Sequence, residues 1–411
     1  VNVDELVRDS LREQAAEQPP LAMDFAERVL TVRRRRRTRR LATVAAATAA
    51  VVAVAVAVPL LDSGKDRVRL ATEMNKSDII AHPDQSPPRD LIAAGDVALA
   101  AYWTWDTVID KKKDTAVRKR SYSILDQKTG KYVADSRWSM VAVAPGMRTA
   151  AVLETELPAK RIGLLDLLTG EVERWIAVDR GVAGVEFSSD GARLVATTYS
   201  KNPDALAKAA NDADGDGKKN DYMPLHTESY RTGFYIVDVD SGHSEWSAVP
   251  PEKEEELLFV GSRQDLSFSG DGKLVRSGLS MEPHDQYYDL KGDKVAKPAD
   301  EKYLTWSVEA RLSPNGKLAA GGSAGGDKTT ASEILDPRTG KRLHKVRGQQ
   351  LLAWVDNERL IAWDIAADGK NEYHNGLVLV TIGSDRTILL SGARKGNDGA
   401  PGRWNPVFAT R

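Results

Sequence analysis

The stretch "SFSGDGKLVRSG", residues 267 to 278, returns 44 residues later as "RLSPNGKLAAGG", residues 311 to 322. In both, an apolar run is broken by Asp271-Gly272 or Asn315-Gly316, pairs that tolerate the positive φ of a hairpin turn, and then resumes. A third copy, "EFSSDGARLVATT", spans 186 to 198, and a weaker one, "AVAPGMRTAAVLE", begins at Ala142. Its turn glycine, Gly146, precedes Gly191 of the third copy by 45 residues.

A second signature lies between these hairpins. "ILDQKTGKYV" at 124 to 133, "LLDLLTGEVERW" at 164 to 175, "IVDVDSGHSEW" at 236 to 246 and "ILDPRTGKRL" at 334 to 343 each set an Asp and a Thr/Ser-Gly turn between apolar strands. A unit therefore supplies two hairpins and four strands. A self-similar period of ~40–50 residues with four strands per unit predicts an all-β fold, the β-propeller, in which each blade buries its faces against its neighbours. Six units start near Leu91, Ser139, Val182, Leu266, Val308 and Leu351. Residues 66–84 offer a strand that would raise the count to seven, and "RWNPVFATR" at the end offers a strand to close the ring beside the first blade.

The chain resembles bacterial WD-repeat and TolB-type propellers, whose blades read "FSPDGK" followed by a "D-x-x-TG" hairpin. The resemblance covers roughly residues 90–411. It implies a fold rather than an activity, because propellers host enzymes, scaffolds and ligand sensors alike. No unit combines a Gly-His near its start with a Trp-Asp at its end, so the assemblies of eukaryotic WD proteins are not implied.

Composition narrows the classes. With 41% hydrophobic residues and a net charge of −1, the chain has material for a large core and no polyelectrolyte character, so nucleic acid is not an expected partner. The absence of cysteine excludes disulfides, thiolate metal sites and a cysteine nucleophile.

Residues 41–61 carry no charge and are almost all Ala, Val and Leu, enough at 1.5 Å per residue for ~30 Å of membrane-spanning helix. Seven arginines between Arg33 and Arg40 are the basic flank that holds an N-terminus in the cytoplasm. The expected organisation is a cytoplasmic segment, 1–40, with short amphipathic helices; a single-pass anchor, 41–61; a linker, 62–89; and an extracytoplasmic propeller, 90–411, with an insertion at 199–233. A cleaved signal peptide is the rival, but its n-region would be 40 residues long.

Within the insertion, "NDADGDGKKND" places Asp212, Asp214, Asp216 and Asn220 at positions 1, 3, 5 and 9 of a calcium loop, with Gly217 at position 6. Position 12 is Met223 instead of the bidentate Glu, so the expected site is weak, and the rival reading is a solvated acidic loop. "GGSAG" at 321–325 matches G-x-S-x-G in form, but it lies between strands and lacks the helix of a nucleophile elbow. The six histidines show no ligand spacing, and "DKKKD" at 110–114 reads as a solvated loop. In "YWTW", residues 102–105, one strand face serves packing and the other is a candidate aromatic platform.

The expected function is thus non-catalytic: an anchored propeller that binds a ligand or protein partner, with residues 1–40 offering a cytoplasmic docking element in an anti-sigma-like organisation. The alternatives are a metal-dependent propeller hydrolase or lyase, and an envelope scaffold.

Overall fold

Both repeated signatures become turns built by their own side chains. In a computed structural model, Ser188, Ser269 and Ser313 each donate their hydroxyl to the acid or amide two residues on, Asp190 (2.5 Å), Asp271 (2.7 Å) and Asn315 (2.9 Å). The same hydroxyls accept the backbone N–H of Arg193, Leu274 and Leu318 across the turn at 2.9–3.0 Å. Only the glycine of each Asp-Gly or Asn-Gly pair takes a positive φ, +73° at Gly191, +70° at Gly272 and +68° at Gly316. The Asp or Asn instead uses its Oδ1 to accept the amide two residues later. In the second signature, Asp126, Asp166, Asp238 and Asp336 accept amides two or three residues ahead, and Gly130, Gly170, Gly242 and Gly340 close the turn at φ of +70° to +75°.

The structure describes residues 78–209, 221–223, 230–249, 263–278, 284–304, 307–325, 330–366, 372–396 and 400–411. The expected anchor, the cytoplasmic segment and the four calcium-loop residues Asp212, Asp214, Asp216 and Asn220 lie outside them. Among the described residues no helix is long and apolar enough to cross a membrane.

The strands run β1 (Ile79–Ile80), β2 (Ala93–Ala94), β3 (Val97–Asp110), β4 (Thr115–Asp126), β5 (Lys131–Asp135), β6 (Trp138–Val143), β7 (Thr149–Glu154), β8 (Ala159–Asp166), β9 (Val172–Phe187) and β10 (Arg193–Tyr199). The insertion holds β11 (Ala205–Lys208) and β12 (Tyr222–Met223), and β13 (Arg231–Asp238) and β14 (Ser244–Ala248) follow. Then come β15 (Ser267–Phe268), β16 (Val275–Gly278), β17 (Asp285–Tyr288), β18 (Lys294–Val295), β19 (Ala319–Ser323), β20 (Ala331–Leu335) and β21 (Arg342–Arg347). The last are β22 (Gln350–Trp354), β23 (Arg359–Ile365), β24 (Asn375–Thr381), β25 (Thr387–Leu389) and β26 (Asn405–Thr410).

All pairings between these strands are antiparallel, and they form successive meanders. β26 pairs β3, followed by β4 and β5, so the last strand of the chain enters the first sheet as the sequence led us to expect. β6, β7 and β8 pair in turn, and β9 serves two meanders: Val172–Ala177 lies along β8, Val182–Phe187 along β10. β10, β13 and β14 complete the third meander; β15–β18, β19–β21 and β22–β25 are the fourth, fifth and sixth. Residues 66–84 yield, among the described residues, only the two-residue β1, which joins the first sheet through β2.

Apolar clusters link successive meanders at every seam but the one between the fourth and fifth. Trp103, Tyr122 and Val407 of the first pack on Trp138, Val141 and Val152 of the second. Met140 and Leu153 of the second meet Phe187, Leu194 and Tyr235 of the third. Val195 and Phe234 of the third meet Leu266, Phe268 and Val275 of the fourth. Ile334 and Val346 of the fifth meet Trp354 and Val378 of the sixth, whose Trp363 and Leu377 return to Leu99 and Phe408 of the first. This circular sequence of antiparallel meanders, closed by the last strand, is the β-propeller arrangement.

The seam between the fourth and fifth meanders differs, because ionic groups hold it. Glu301 accepts the Tyr287 hydroxyl, the Gly270 amide (2.6 Å) and, across the seam, the Arg311 guanidinium; behind it, within the fourth meander, Asp285 is held by Arg276 (2.6 Å) and Lys297 (3.4 Å).

Candidate functional site

The first sheet does not end where its neighbours do. β26 accompanies β3 only as far as Trp103, and β5 accompanies β4 only from Tyr122 onward. Beyond that point β3 and β4 continue as a two-stranded arm to the Asp110↔Thr115 pair. Its turn is the Asp-Lys-Lys-Lys-Asp run: Asp110 accepts the amides of Lys112 (3.0 Å) and Lys113 (3.3 Å), and Asp114 takes a φ of +53°, a conformation short polar side chains tolerate. Near the tip, Val108 and Ile109 are 54% and 45% exposed. They line one side of an open groove of about 540 Å³ with Lys111, Lys112 and Val117.

In the insertion of the third meander, β11 adds to the free edge of β4, with Ala205 opposite Val117 and Ala207 opposite Thr115, and β12 adds to β11. Lys208 and Tyr222 both reach Asp114 at the arm's turn, at 3.2 Å. Short augmenting strands of this kind satisfy an edge that would otherwise expose its backbone groups.

Where the insertion meets the arm, one carboxylate is held by two arginines. Asp204 accepts Arg120 Nη1 (3.1 Å) and Nη2 (3.0 Å) from β4, and Arg263 Nε (2.6 Å) and Nη2 from the segment leading into β15. Four charge-assisted bonds occupy the lone-pair positions of the carboxylate. Arg263 also donates to the Ala183 carbonyl (2.7 Å) and to Asp265 (3.2 Å), and Asp265 accepts the Tyr199 hydroxyl (2.7 Å). Gly184 makes room for Asp265, since a Cβ there would overlap that carboxylate. Arg120, Asp204, Arg263 and Asp265 are each less than a tenth exposed, two cations balanced by two anions.

The cluster thus joins the first meander (Arg120) to the fourth (Arg263), which are not neighbours in the circular order, by way of the third (Asp204). The arm and the insertion are thereby tied to both of these meanders. Arg120 lies over the Trp103 ring (5.2 Å) and Arg118 over Trp105 (4.9 Å). Both tryptophans are buried against the second meander, while Tyr102 on the opposite face packs edge-on against Tyr132 (5.4 Å) and Trp404 (5.9 Å). The "YWTW" run therefore serves packing on both faces.

Of the other sequence candidates, Ser323 of the "GGSAG" run closes β19 opposite Ser332 in a continuing sheet. His243 is exposed beside Glu245 (3.4 Å). Among the described residues no three His, Asp or Glu side chains converge as metal ligands. Sequence reasoning missed the Asp204 cluster because its members lie 59 and 84 residues apart and share no spacing. The available signal was register: Arg120 occupies the same alternate positions of β4 as the buried Ala116, Tyr122 and Ile124.

No protein-family model matches the chain, and no curated protein sequence matches it significantly. Among solved structures it is similar to TolB of Acinetobacter baumannii, at 14% identity over 72% of this chain and 68% of that one, with a TM-score of 0.35. It is similar also to the acylaminoacyl peptidase of Pyrococcus horikoshii (13%, 73% and 46%, 0.37) and to the hydrazine synthase of Kuenenia stuttgartiensis (12%, 61% and 64%, 0.31). The chain spans less than two thirds of the length of these last two.

Proposed function

We infer that this chain is a non-catalytic, single-pass membrane protein whose external six-bladed propeller binds a partner through the arm that extends from its first meander. The supporting observation is the arm itself. A hairpin that leaves its own blade, is braced by the insertion from another and carries Val108 and Ile109 to solvent beside three lysines has the amphipathic character of a recognition surface. The Asp204 carboxylate is committed to guanidinium groups, an arrangement suited to holding structure rather than to ligating a metal. Residues 41–61 supply the anchor, and residues 1–40 the cytoplasmic segment that tethers or transmits.

The reading is tested in membranes that contain the full chain, with a photo-crosslinking amino acid in place of Val108 and, as control, of Thr387 on the outer strand β25. An adduct at position 108 in excess of the control, on protein retained after carbonate washing, is the expected outcome. Protease added to spheroplasts should remove the propeller and spare a small N-terminal fragment. Equal labelling at both positions sinks the arm as the binding surface, and release by carbonate sinks the anchor.

A further inference from the structure

We propose that the guanidinium pair of Arg120 and Arg263 is a binding site for a small oxyanion, a phosphoryl or carboxylate group, which Asp204 occupies as a built-in stand-in. The proposal rests on the reading of the ring as a binding module and adds its ligand class. Two guanidinium forks, each giving two N–H bonds to one carboxylate, form the geometry by which proteins recognise a free carboxylate or phosphate. The occupant does not belong to either blade that supplies the arginines. It rides on the insertion, next to a β11 that is held to the arm by three register pairs, so it departs if that short strand lifts.

Donors also exceed acceptors around the clamp. Arg120 Nε and Trp103 Nε1 are buried and have no hydrogen-bond partner, and the Arg120 guanidinium lies over the Trp103 ring. Buried donors left over beside a complete ion pair are the complement of a ligand richer in acceptor oxygens than one carboxylate. With Asp204 withdrawn, Asp265 stays paired with Arg263, and Arg120 loses the carboxylate partner that Asp204 gave it, which leaves the pair of guanidiniums in excess over the remaining Asp265 carboxylate. Burial of both arginines restricts the ligand to a small solute.

In the closed form the apparent affinity is reduced by the fraction of molecules in which Asp204 has left. Calorimetry on the full chain in detergent, with inorganic phosphate and separately with acetate, should show Asp204→Ala binding one of them at least tenfold more tightly than wild type. Phosphate above acetate identifies a phosphoryl ligand, and the reverse a carboxylate. Adding Arg120→Gln and Arg263→Gln should abolish the heat. Asp204→Asn, which keeps the shape and removes the charge, serves if the alanine variant does not fold, and it too should bind more tightly than wild type. A folded Asp204 variant that takes up neither anion, or heat that survives loss of both arginines, overturns the site. The Val108 cross-link, read in the same preparations, separates the two ideas: its persistence without anion heat overturns the anion site alone, and its loss with the heat intact overturns the partner surface alone.

Discussion

Phe408 stands opposite Leu99 in register between β26 and β3, and the two side chains, both buried, pack together into the cluster that joins the sixth meander to the first. A contact between positions 309 apart in sequence therefore closes the ring. Phe408→Ala removes the ring from a site that Trp363, Leu377 and Leu379 also line, and rigid neighbours do not collapse into the space. The expected cost is about 3–5 kcal/mol. Denaturant titration should show a lower midpoint with an unchanged slope; a midpoint equal to wild type would mean that β26 does not contribute to closure.

The ionic seam between the fourth and fifth meanders makes stability fall in acid. Burial pushes the Asp285 carboxyl up, but the charges of Arg276, Arg311 and Lys297 outweigh it and hold it below its ordinary value. Glu301 follows the same pattern: burial raises it, and Arg311, the Tyr287 hydroxyl and the Gly270 amide bring it down further. Folded-state values below the unfolded ~3.9 and ~4.3 mean that the stabilisation is complete above those values and is lost as pH falls through the folded ones. The thermal midpoint should therefore drop below about pH 4, and Glu301→Gln should flatten that dependence. At neutral pH the same variant strands Arg311 in the seam and should cost about 3–5 kcal/mol. A wild-type midpoint flat through this range would remove the seam from the acid response.

Equivalent turn aspartates should not be equally important. Asp166 and Asp336 both accept two turn amides, but Asp166 is buried and also holds Arg148, whereas Asp336 is half exposed. Asp166→Ala empties the place of a buried carboxylate and removes its two turn bonds and its Arg148 partner, for about 1–3 kcal/mol. Asp336→Ala should cost less, because its carboxylate already meets water. Chemical denaturation of the two variants side by side checks the order, and an equal loss would show that burial does not set the scale.

The contrast explains what was legible in the sequence. Turns such as Ser269 to Gly272 and Asp336 to Gly340 are satisfied within a few residues, so their chemistry is written locally and repeats visibly. The strand "RWNPVFATR" was legible for a related reason, since a ring with an unpaired edge demands a closing partner. The arm was not. Nothing in "DKKKD" distinguishes a loop from the tip of an extended hairpin, because the difference lies in where β5 and β26 stop pairing. The Asp204 clamp is further from view still: its charges come from three meanders and meet only through the tertiary fold.

The calcium expectation for Asp212, Asp214, Asp216 and Asn220 is testable through the residues that bracket them. The intervening chain leaves and rejoins the described structure at one point, where the Ala209 amide donates to the Asp221 carbonyl (2.8 Å), and Met223, at position 12, sits in β12 opposite Ala207. A cation that gathers the loop would therefore tighten the β11–β12 pair, and with it the edge of the arm at Thr115 to Val117. Without a bidentate Glu at position 12 the affinity should fall in the weak extracellular range, ~10⁻⁴–10⁻³ M. Millimolar calcium should slow hydrogen exchange at Ala207 and Lys208 and protect the bonds around Gly215 and Gly217 from protease, and Asp212→Ala with Asp214→Ala should abolish both effects while the meander strands keep their protection. Exchange and digestion unchanged up to several times that range would return residues 212–220 to the class of solvated acidic loops.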